Sequence, residues 1–209
     1  MIDLDVGFNQ KQYDFLMKRL DLLADEREII KAINKAAKKA ANEAKKETTK
    51  LIPAAFTIPV SEVKSGIKVR ANRGSEPGAV MQITGGAIPL YDFEGVTPRE
   101  VMPPAKGPVR AKVKQSGGAE LSRVFVAKMQ SGHIGLFERE AEKRKSERYY
   151  KKDEKRNKAH THIFELWGTG LTGMFGTETE TPINTAVIQK AGEFFNQQVI
   201  VELEALLNG

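Results

Sequence analysis

Apolar residues that recur every three or four positions predict helices in three parts of the chain. The first helix is predicted from about Gln10 to Leu23, and the second from Glu28 to Leu51, where we expect Pro53 to end it. The third is predicted to begin at Thr181-Pro182, a cap followed by a first-turn proline, and to run to Leu207. The buried face of the second helix is predicted to contain Ile29, Ile33, Ala36, Ala37, Ala40, Ala44 and Leu51. That of the third is predicted to contain Ile183, Val187, Ala191, Phe194, Phe195, Val199, Leu203 and Leu206.

Alternating apolar and polar positions predict short strands elsewhere. The first contains Ile2, Leu4, Val6 and Phe8, and the others cover residues 67–71, 79–84, 89–93, 109–113, 124–128 and 134–137, which together suggest one antiparallel sheet. Between them, residues 61–66 predict one helical turn capped by Ser61 and closed by Gly66. The sequence therefore predicts an α+β fold: an antiparallel sheet of short strands packed with a long N-terminal basic, alanine-rich helix and a C-terminal helix, with long extended loops.

The 209 residues are interpreted as a single domain with four regions. Residues 1–52 hold the N-terminal strand and helices, and residues 53–137 form the sheet. Within the sheet region, prolines and glycines predict a long loop over 94–108. Residues 138–160 are almost entirely charged and have too little apolar surface to order alone, so we expect a mobile insertion or a helix that a partner orders. Residues 161–209 hold a glycine-rich turn and the last helix.

The composition narrows the classes of function. The chain contains no cysteine, which excludes disulfides, thiolate metal sites and cysteine nucleophiles. No apolar run approaches the roughly 18–20 residues that a membrane span needs. The first residues, MIDLDVGF, carry acids where a signal peptide carries a basic segment. We therefore expect a protein made and used in a cytoplasm.

Two clusters hold most of the excess basic residues of this chain, whose net charge is +6. Residues 31–50 contain seven lysines against two glutamates, and residues 143–158 contain nine lysines or arginines against three acids. These clusters suggest an alternative function, a basic module that contacts nucleic-acid phosphates, although no helix-turn-helix, zinc or RNP motif accompanies them. A solvated or protein-facing surface is the interpretation we favour. The candidate residues for partner or DNA contact are Lys31, Lys35, Lys38, Lys45, Lys46, Lys143, Arg144, Lys151 and Lys152.

Candidate residues for catalysis are few. His133, His160 and His162 could in principle form a metal site for hydrolysis, but no established ligand spacing accompanies them. Ser131-Gly-His133 does not match a nucleophile elbow. Gly85-Gly86 and Gly117-Gly118 do not lead into a phosphate-binding helix, so we interpret these glycines as suppliers of positive φ in hairpin turns. The prediction is a protein without catalytic, metal-binding or cofactor-binding residues, which is not an enzyme.

Five stretches, taken in order, carry a resemblance to a known family. They are AINKAAKKAANEAKKETTKLI, IPVSEVKSGIKVRAN, GGAIPLYDF, VFVAKMQSGHIGLFERE and IFELWGTGLTGMFG. Their order and spacing, over roughly residues 28–206, resemble the prophage minor tail protein Z family of tailed bacteriophages. The chain departs from the family in its longer, more charged 138–160 insertion and in the absence of a proline from GTGLTGM.

The resemblance implies a virion structural protein, assembled in the host cytoplasm, that acts as a tail completion or neck component. Such proteins form a ring, commonly sixfold, which joins the tail terminator, the tube or the tape-measure end to the head connector, with no membrane partner. DNA passes through the lumen of such a ring, where lysines could line the wall and contact it non-specifically. Residues 94–108 and 138–160 would be partner-facing arms, while Phe137, Trp167, Met174 and Phe175 would lie near the packed sheet. Ser131, Gly132, His133 and Gly135 would form a structural turn between the strands at 124–128 and 134–137.

Overall fold

The computed structural model describes residues 2–5, 26–72, 77–101, 108–139, 163–176 and 183–207. Several predicted features lie outside these ranges, namely the helix over 10–23, residues 6–8 of the first strand, loop residues 102–107, residues 140–160 of the charged insertion and the Thr181-Pro182 cap. The helices are α1 Glu26–Ala55, α2 Val60–Gly66, α3 Leu171–Gly176 and α4 Ile183–Leu207. The strands are β1 Ile2–Asp5, β2 Ile67–Ala71, β3 Ala79–Ile83, β4 Ile88–Pro89, β5 Val109–Lys114, β6 Gly117–Leu121, β7 Val124–Lys128, β8 Ile134–Arg139, β9 Ile163–Glu165 and β10 Trp167–Gly168.

The described residues fall into two compact units. Unit 1 comprises Met1–Gly86 and Thr169–Gly209, and unit 2 comprises Ala87–Gly168. Unit 1 contains all four helices and one small sheet, whereas unit 2 contains the remaining strands. The predicted α+β class is confirmed, since long helices accompany short antiparallel strands. The interpretation of residues 1–209 as one domain stays a prediction.

Unit 1 is built on the packing of α1 against α4. The predicted apolar face of α4 is buried at Ile183, Val187, Ala191, Phe195, Val199 and Leu203, with Phe194 and Leu206 half-buried. The predicted α1 stripe is likewise buried, except that Leu51 is half-buried. Because four alanines of α1, from Ala36 to Ala41, face a cluster that includes Phe195 and Val199, the two helices can approach closely.

The prediction that Pro53 ends α1 is wrong, because the helix continues to Ala55. Proline removes its own N–H donor, which disrupts one helical hydrogen bond. The next turn is nevertheless closed, since the Phe56 N–H donates to the Ile52 carbonyl at 2.8 Å. Ile52 and Phe56 are both fully buried, so their packing holds the turn around the proline.

The sheet of unit 1 has the order β1–β3–β2, with antiparallel pairs throughout. Ile67 pairs with Ile83 and Val69 with Met81, so the apolar side chains of β2 and β3 share one face. That face contacts α1, while Lys68 and Arg70 are exposed on the other. Strand β2 has the predicted bounds, and β3 is one residue shorter than predicted.

The prediction that Ser61 caps helix α2 is wrong. The helix begins at Val60 rather than after Ser61, no side-chain hydrogen bond caps it, and the N–H groups of Glu62 and Val63 donate to the Pro59 carbonyl instead. Gly66 ends the helix as expected, but not with a positive φ. A Cβ there would lie 2.2 Å from Leu171 Cδ1 and 2.8 Å from the Thr84 carbonyl oxygen, so close packing requires the glycine.

The strands of unit 2 form three small antiparallel sheets, β4–β10, β5–β6 and β7–β8–β9, rather than parts of one sheet. Three of these strands, β6, β9 and β10, were not predicted. The strand predicted at 89–93 is wrong beyond Pro89, because residues 90–92 form a 3-10 turn that buries Leu90 and Phe93. The positive φ values predicted at Gly85-Gly86 and Gly117-Gly118 are also wrong, since Gly132 alone adopts one among the residues that the structure describes.

Candidate assembly surface

The turn between β7 and β8 is the SGHIG stretch of the sequence. The Met129 N–H donates to the His133 carbonyl at 2.7 Å, and the Gly132 N–H donates to the Met129 carbonyl at 2.9 Å. Gly132 has a φ of +88°, a left-handed conformation that side chains disfavour. The Ser131 hydroxyl oxygen lies 3.5 Å from the His133 N–H, so it makes at most a long local hydrogen bond.

The His133 ring points from this turn to β9. Its Nε2 lies 2.5 Å from Oε1 of Glu165, and its ring meets the Phe137 ring edge-on at 6.4 Å. Phe137 is the cross-strand neighbour of Glu165, so the imidazole, the phenyl ring and the carboxylate lie together on one side of the sheet. The pair therefore joins the turn to a strand 32 residues further along the chain.

Gly135 makes room for this pair. A Cβ at residue 135 would lie 2.6 Å from Glu165 Oε1 and 3.1 Å from the Phe137 ring. Its φ is not positive, so packing rather than backbone conformation requires the glycine. Gly132 and Gly135, which flank His133, thus have different physical reasons to be glycine.

Residues 163–168, the IFELWG stretch, connect two sheets of unit 2. Strand β9 pairs with β8, and the Leu166 N–H extends the pairing to the Leu136 carbonyl at 2.9 Å. The Leu166 carbonyl then accepts from the Leu90 N–H at 2.8 Å, and β10 pairs with β4. Backbone hydrogen bonds on two sheets therefore hold this segment in place.

The same segment exposes large apolar side chains. Ile163, Phe164 and Trp167 are 42%, 53% and 54% exposed. Successive side chains of a strand point to opposite faces, so Phe164 lies on the other face of β9 from Ile163 and the His133–Glu165 pair. We define the exposed side chains of this segment, Ile163, Phe164 and Trp167, as the candidate assembly surface. Aromatic residues that remain in water on a well-held strand are typical of protein–protein interfaces.

The four residues that we expected near the packed sheet lie in three different environments. Phe137 is buried in β8, whereas Met174 and Phe175 are buried in α3 of unit 1. Trp167 lies in a strand but more than half of its side chain is exposed. Sequence patterning did not indicate this exposure, because an apolar run such as IFELW is typical of a buried strand.

The basic face of α1 is largely engaged within the chain. Lys31 pairs with Glu28 at 2.7 Å, Lys46 with Glu43 at 3.6 Å, and the Lys45 ammonium donates to the Ile67 carbonyl at 2.6 Å. Lys35 is bound to α4, as described below, whereas Lys38 is exposed. These lysines have partners within their own unit, but Lys31, Lys35 and Lys46 also keep most of their side-chain surface in water, at 71%, 65% and 78% exposed.

Glu202 of α4 is the acid that binds two α1 lysines. Its side chain is 7% exposed, and its oxygens lie 2.7 Å from Lys35 Nζ and 2.6 Å from Lys39 Nζ. Hydrogen bonds from Lys35 and then Lys39 hold the pKa of Glu202 below its usual value. A second ion pair joins the helices between Lys190 and Glu47, where the hydrogen bond from Lys190 lowers the pKa of Glu47.

The remaining candidate residues, Lys143, Arg144, Lys151, Lys152, His160 and His162, lie outside the described residues. Within the described ranges, no three His, Asp or Glu side chains converge as a metal site would require. No helix in those ranges combines the length and apolar character needed to cross a bilayer.

Comparison with known proteins gives one match. The family model for prophage minor tail protein Z (GPZ) matches residues 16–152, about two thirds of the chain. No curated protein and no solved structure matches. The matched range includes α1 and the SGHIG turn, and it ends before β9. The chain therefore belongs to the prophage minor tail protein Z family, and it is a minor tail protein with a structural role in the phage virion.

Proposed function

We propose that this protein is a tail completion, or neck, component that forms a homo-oligomeric ring at the head-proximal end of the phage tail. The ring, a hexamer in this proposal, joins the tail terminator and tube, or the tape-measure end, to the head connector. Assembly takes place in the host cytoplasm. The membership of the family supports a tail role, and the candidate assembly surface supports a role in docking.

The exposure of Phe164 and Trp167 is the observation that carries this proposal. Two aromatic side chains in water forgo the stabilisation of burial, about 25 cal/mol for each Å² of apolar surface. The segment that presents them is held by two sheets and by the His133–Glu165 pair, so docking orders little extra backbone. A rigid strand with exposed aromatics is well suited to bind a neighbouring protein.

Residues 94–108 and 140–160 remain partner-facing arms in this proposal. The predicted start of the second arm at residue 138 is wrong, because Glu138 and Arg139 are part of β8 and pair with β9. Among their described residues, Val101 is 54% exposed, while Thr97 is tied to Arg110 by two backbone hydrogen bonds of 2.9 and 2.8 Å. The base of the first arm is thus anchored to β5 while its apolar residue stays accessible.

Contact with DNA through α1 is the weaker alternative. Most of the lysines that suggested it are bound to glutamates or to a carbonyl of unit 1. Releasing Lys35 and Lys39 would leave Glu202 buried without its partners, which is costly. Passage of DNA through the ring lumen requires no such release.

A phage that lacks this protein provides the test. We expect its lysates to contain filled heads and separate tails, and wild-type protein supplied in trans should restore joined particles. Electron microscopy of complemented particles that carry a tagged chain should locate the tag at the neck. Joined, infectious particles without the protein, or a tag at the distal tip, would reject the proposal.

A further inference from the structure

Trp167 is the chain's single tryptophan, and it extends from unit 2 into solvent. Its neighbour Gly168 has no room for a side chain, because a Cβ there would lie 2.6 Å from the buried Phe93 ring. The backbone on which Trp167 stands is therefore fixed by packing as well as by the β4–β10 pairing. Trp167 therefore projects from a fixed backbone, and about half of its apolar side chain is exposed to solvent.

Unit 2 also contains a trough of about 400 Å³ on the β5–β6 hairpin. Small residues contribute much of its wall, namely Gly95, Ala111, Gly118 and Ala119. A Cβ at Gly95 would lie 2.3 Å from the Lys112 carbonyl oxygen, so this part of the wall has no space for a larger residue. Trp167 does not line the trough of its own chain.

The chemistry of the trough fits an indole ring. Arg110 and Glu120 lie at its edge and pair with each other at 2.6 Å, and Lys112 also lines it, so the lining carries one excess positive charge. A guanidinium attracts the face of an indole, and tryptophan is the best aromatic partner for it. The carboxylate of Glu120 and the hydroxyl of Thr97 can each accept a hydrogen bond from the indole N–H.

We propose that Trp167 of one copy of this chain inserts into the β5–β6 trough of the next copy. The proposal rests on the proposed ring and identifies the contact that closes it. Projection and trough are different surfaces, so the contact is heterologous and repeats from copy to copy. Such a repeat closes into a ring when the rotation between copies allows it.

The size of the contact sets its strength. A tryptophan buries at most about 250 Å², and roughly half of Trp167 is available, against about 800 Å² per partner in a standard stable interface. An isolated pair of copies should therefore associate weakly. Ring closure gives each copy two contacts, so association should depend steeply on concentration.

Because the chain has one tryptophan, its own fluorescence reports insertion. We expect emission from wild-type protein to shift to shorter wavelength, and quenching by iodide to fall, as the concentration rises. Thr97→Arg places a charged side chain in the trough, because Thr97 pairs with Arg110 and lines the trough on the same face, so it should raise the concentration of half-shift at least about tenfold. Gly118→Arg is a second blocking variant, and Ile200→Arg, on exposed α4 of unit 1, is the matched control without effect.

Mixing two variants tests the head-to-tail geometry. Trp167→Ala keeps an intact trough and has no tryptophan, whereas Thr97→Arg keeps the tryptophan and has a blocked trough. Titrating the first into the second should shift the emission, with heterodimers seen by sedimentation. If the emission shifts neither in this mixture nor in concentrated wild-type protein, the proposed contact is wrong. The neck location would then still be supported by the tagged-particle result. A shift in this mixture supports the contact even if the tag lies elsewhere in the tail.

Discussion

His133 and Glu165 lie 32 residues apart in the chain, yet their side chains meet at 2.5 Å. Each belongs to one of the stretches on which the family resemblance was based, the SGHIG turn and the IFELWG segment. The contact links the two stretches physically, because the turn holds the segment that presents Phe164 and Trp167. A histidine that first suggested catalysis is therefore better explained as a positioning residue.

A double-mutant cycle should measure this contact. His133→Ala and Glu165→Ala should each destabilise the protein modestly, and the coupling between them should be about 0.2–1 kcal/mol, because the histidine is partly exposed. Urea unfolding of the wild type, both single variants and the double variant gives the coupling. Strict additivity of the two effects would show that the contact has no energetic role.

The two glycines beside His133 should respond differently to alanine. Gly132→Ala forces a side chain into a left-handed conformation and should cost about 1–2 kcal/mol, whatever residue occupies position 165. Gly135→Ala places a Cβ against Glu165, and overpacking of this kind costs about 1–3 kcal/mol. In a Glu165→Ala background the cost of Gly135→Ala should fall, because the nearest clashing atom is gone.

Gly117→Ala is the matched control, since a Cβ there has open space around it. Thermal or urea unfolding of the set checks both glycine predictions. An equal cost for Gly135→Ala in both backgrounds would contradict the packing explanation.

Substitution of an exposed aromatic residue should impair assembly, whereas substitution of a buried one should impair stability. Phe164→Ser should change the free energy of unfolding by less than about 0.5 kcal/mol while reducing incorporation into particles. Phe195→Ala, which opens the α1–α4 core, should cost about 3–5 kcal/mol. Complementation of the deletion phage and unfolding of the purified variants provide the two readouts. A Phe164→Ser protein with wild-type incorporation would remove the candidate assembly surface from the proposal.

Much of this fold was predictable because its signals are local. The stripe from Ile183 to Leu203 repeats every four residues. The alternation in 67–71 and the short apolar run in 124–128 predict the observed bounds of β2 and β7. In contrast, Gly117–Leu121 has no apolar alternation and becomes a strand only because β5 lies beside it. Pro53 is a local helix-breaking signal that the burial of Ile52 and Phe56 overrides.

The candidate site was less predictable, because its contacts link distant parts of the chain. Nothing local indicates that Glu202 pairs with Lys35 and Lys39, or that His133 meets Glu165. The basic clusters could be recognised in the sequence from their charge, but the sequence did not show which acidic residues pair with the α1 lysines. Local patterns therefore gave the elements, and tertiary contacts decided which side chains remained available.

Glu202 should make stability depend on pH in the acid range. Its pKa is lowered in the folded state, so its contribution is present above the unfolded value of about 4.3 and is lost as the pH falls through the folded pKa. Glu202→Gln should cost about 1–2 kcal/mol at neutral pH. The difference from wild type should shrink below about pH 4.3. Unfolding between neutral and acid pH measures this, with Glu204→Gln, on the exposed side of α4, as control. A difference that stays constant into strong acid would contradict the assignment.

The α1 lysines give the last prediction, which concerns DNA. Lys35 binds Glu202 and Lys45 binds the Ile67 carbonyl, so a phosphate would have to compete with the partner that each lysine already has. Each neutralised phosphate contributes about 0.9 to the slope of log affinity against log salt. We therefore expect Lys35→Ala and Lys45→Ala to lower the free energy of unfolding without changing the slope of any DNA binding by the full-length chain. Fluorescence anisotropy with duplex DNA over a salt series measures the slope, and the exposed Lys38→Ala is the comparison. If both variants reduced the slope by about one phosphate each, the lysines would be available after all, and the nucleic-acid alternative would regain its support.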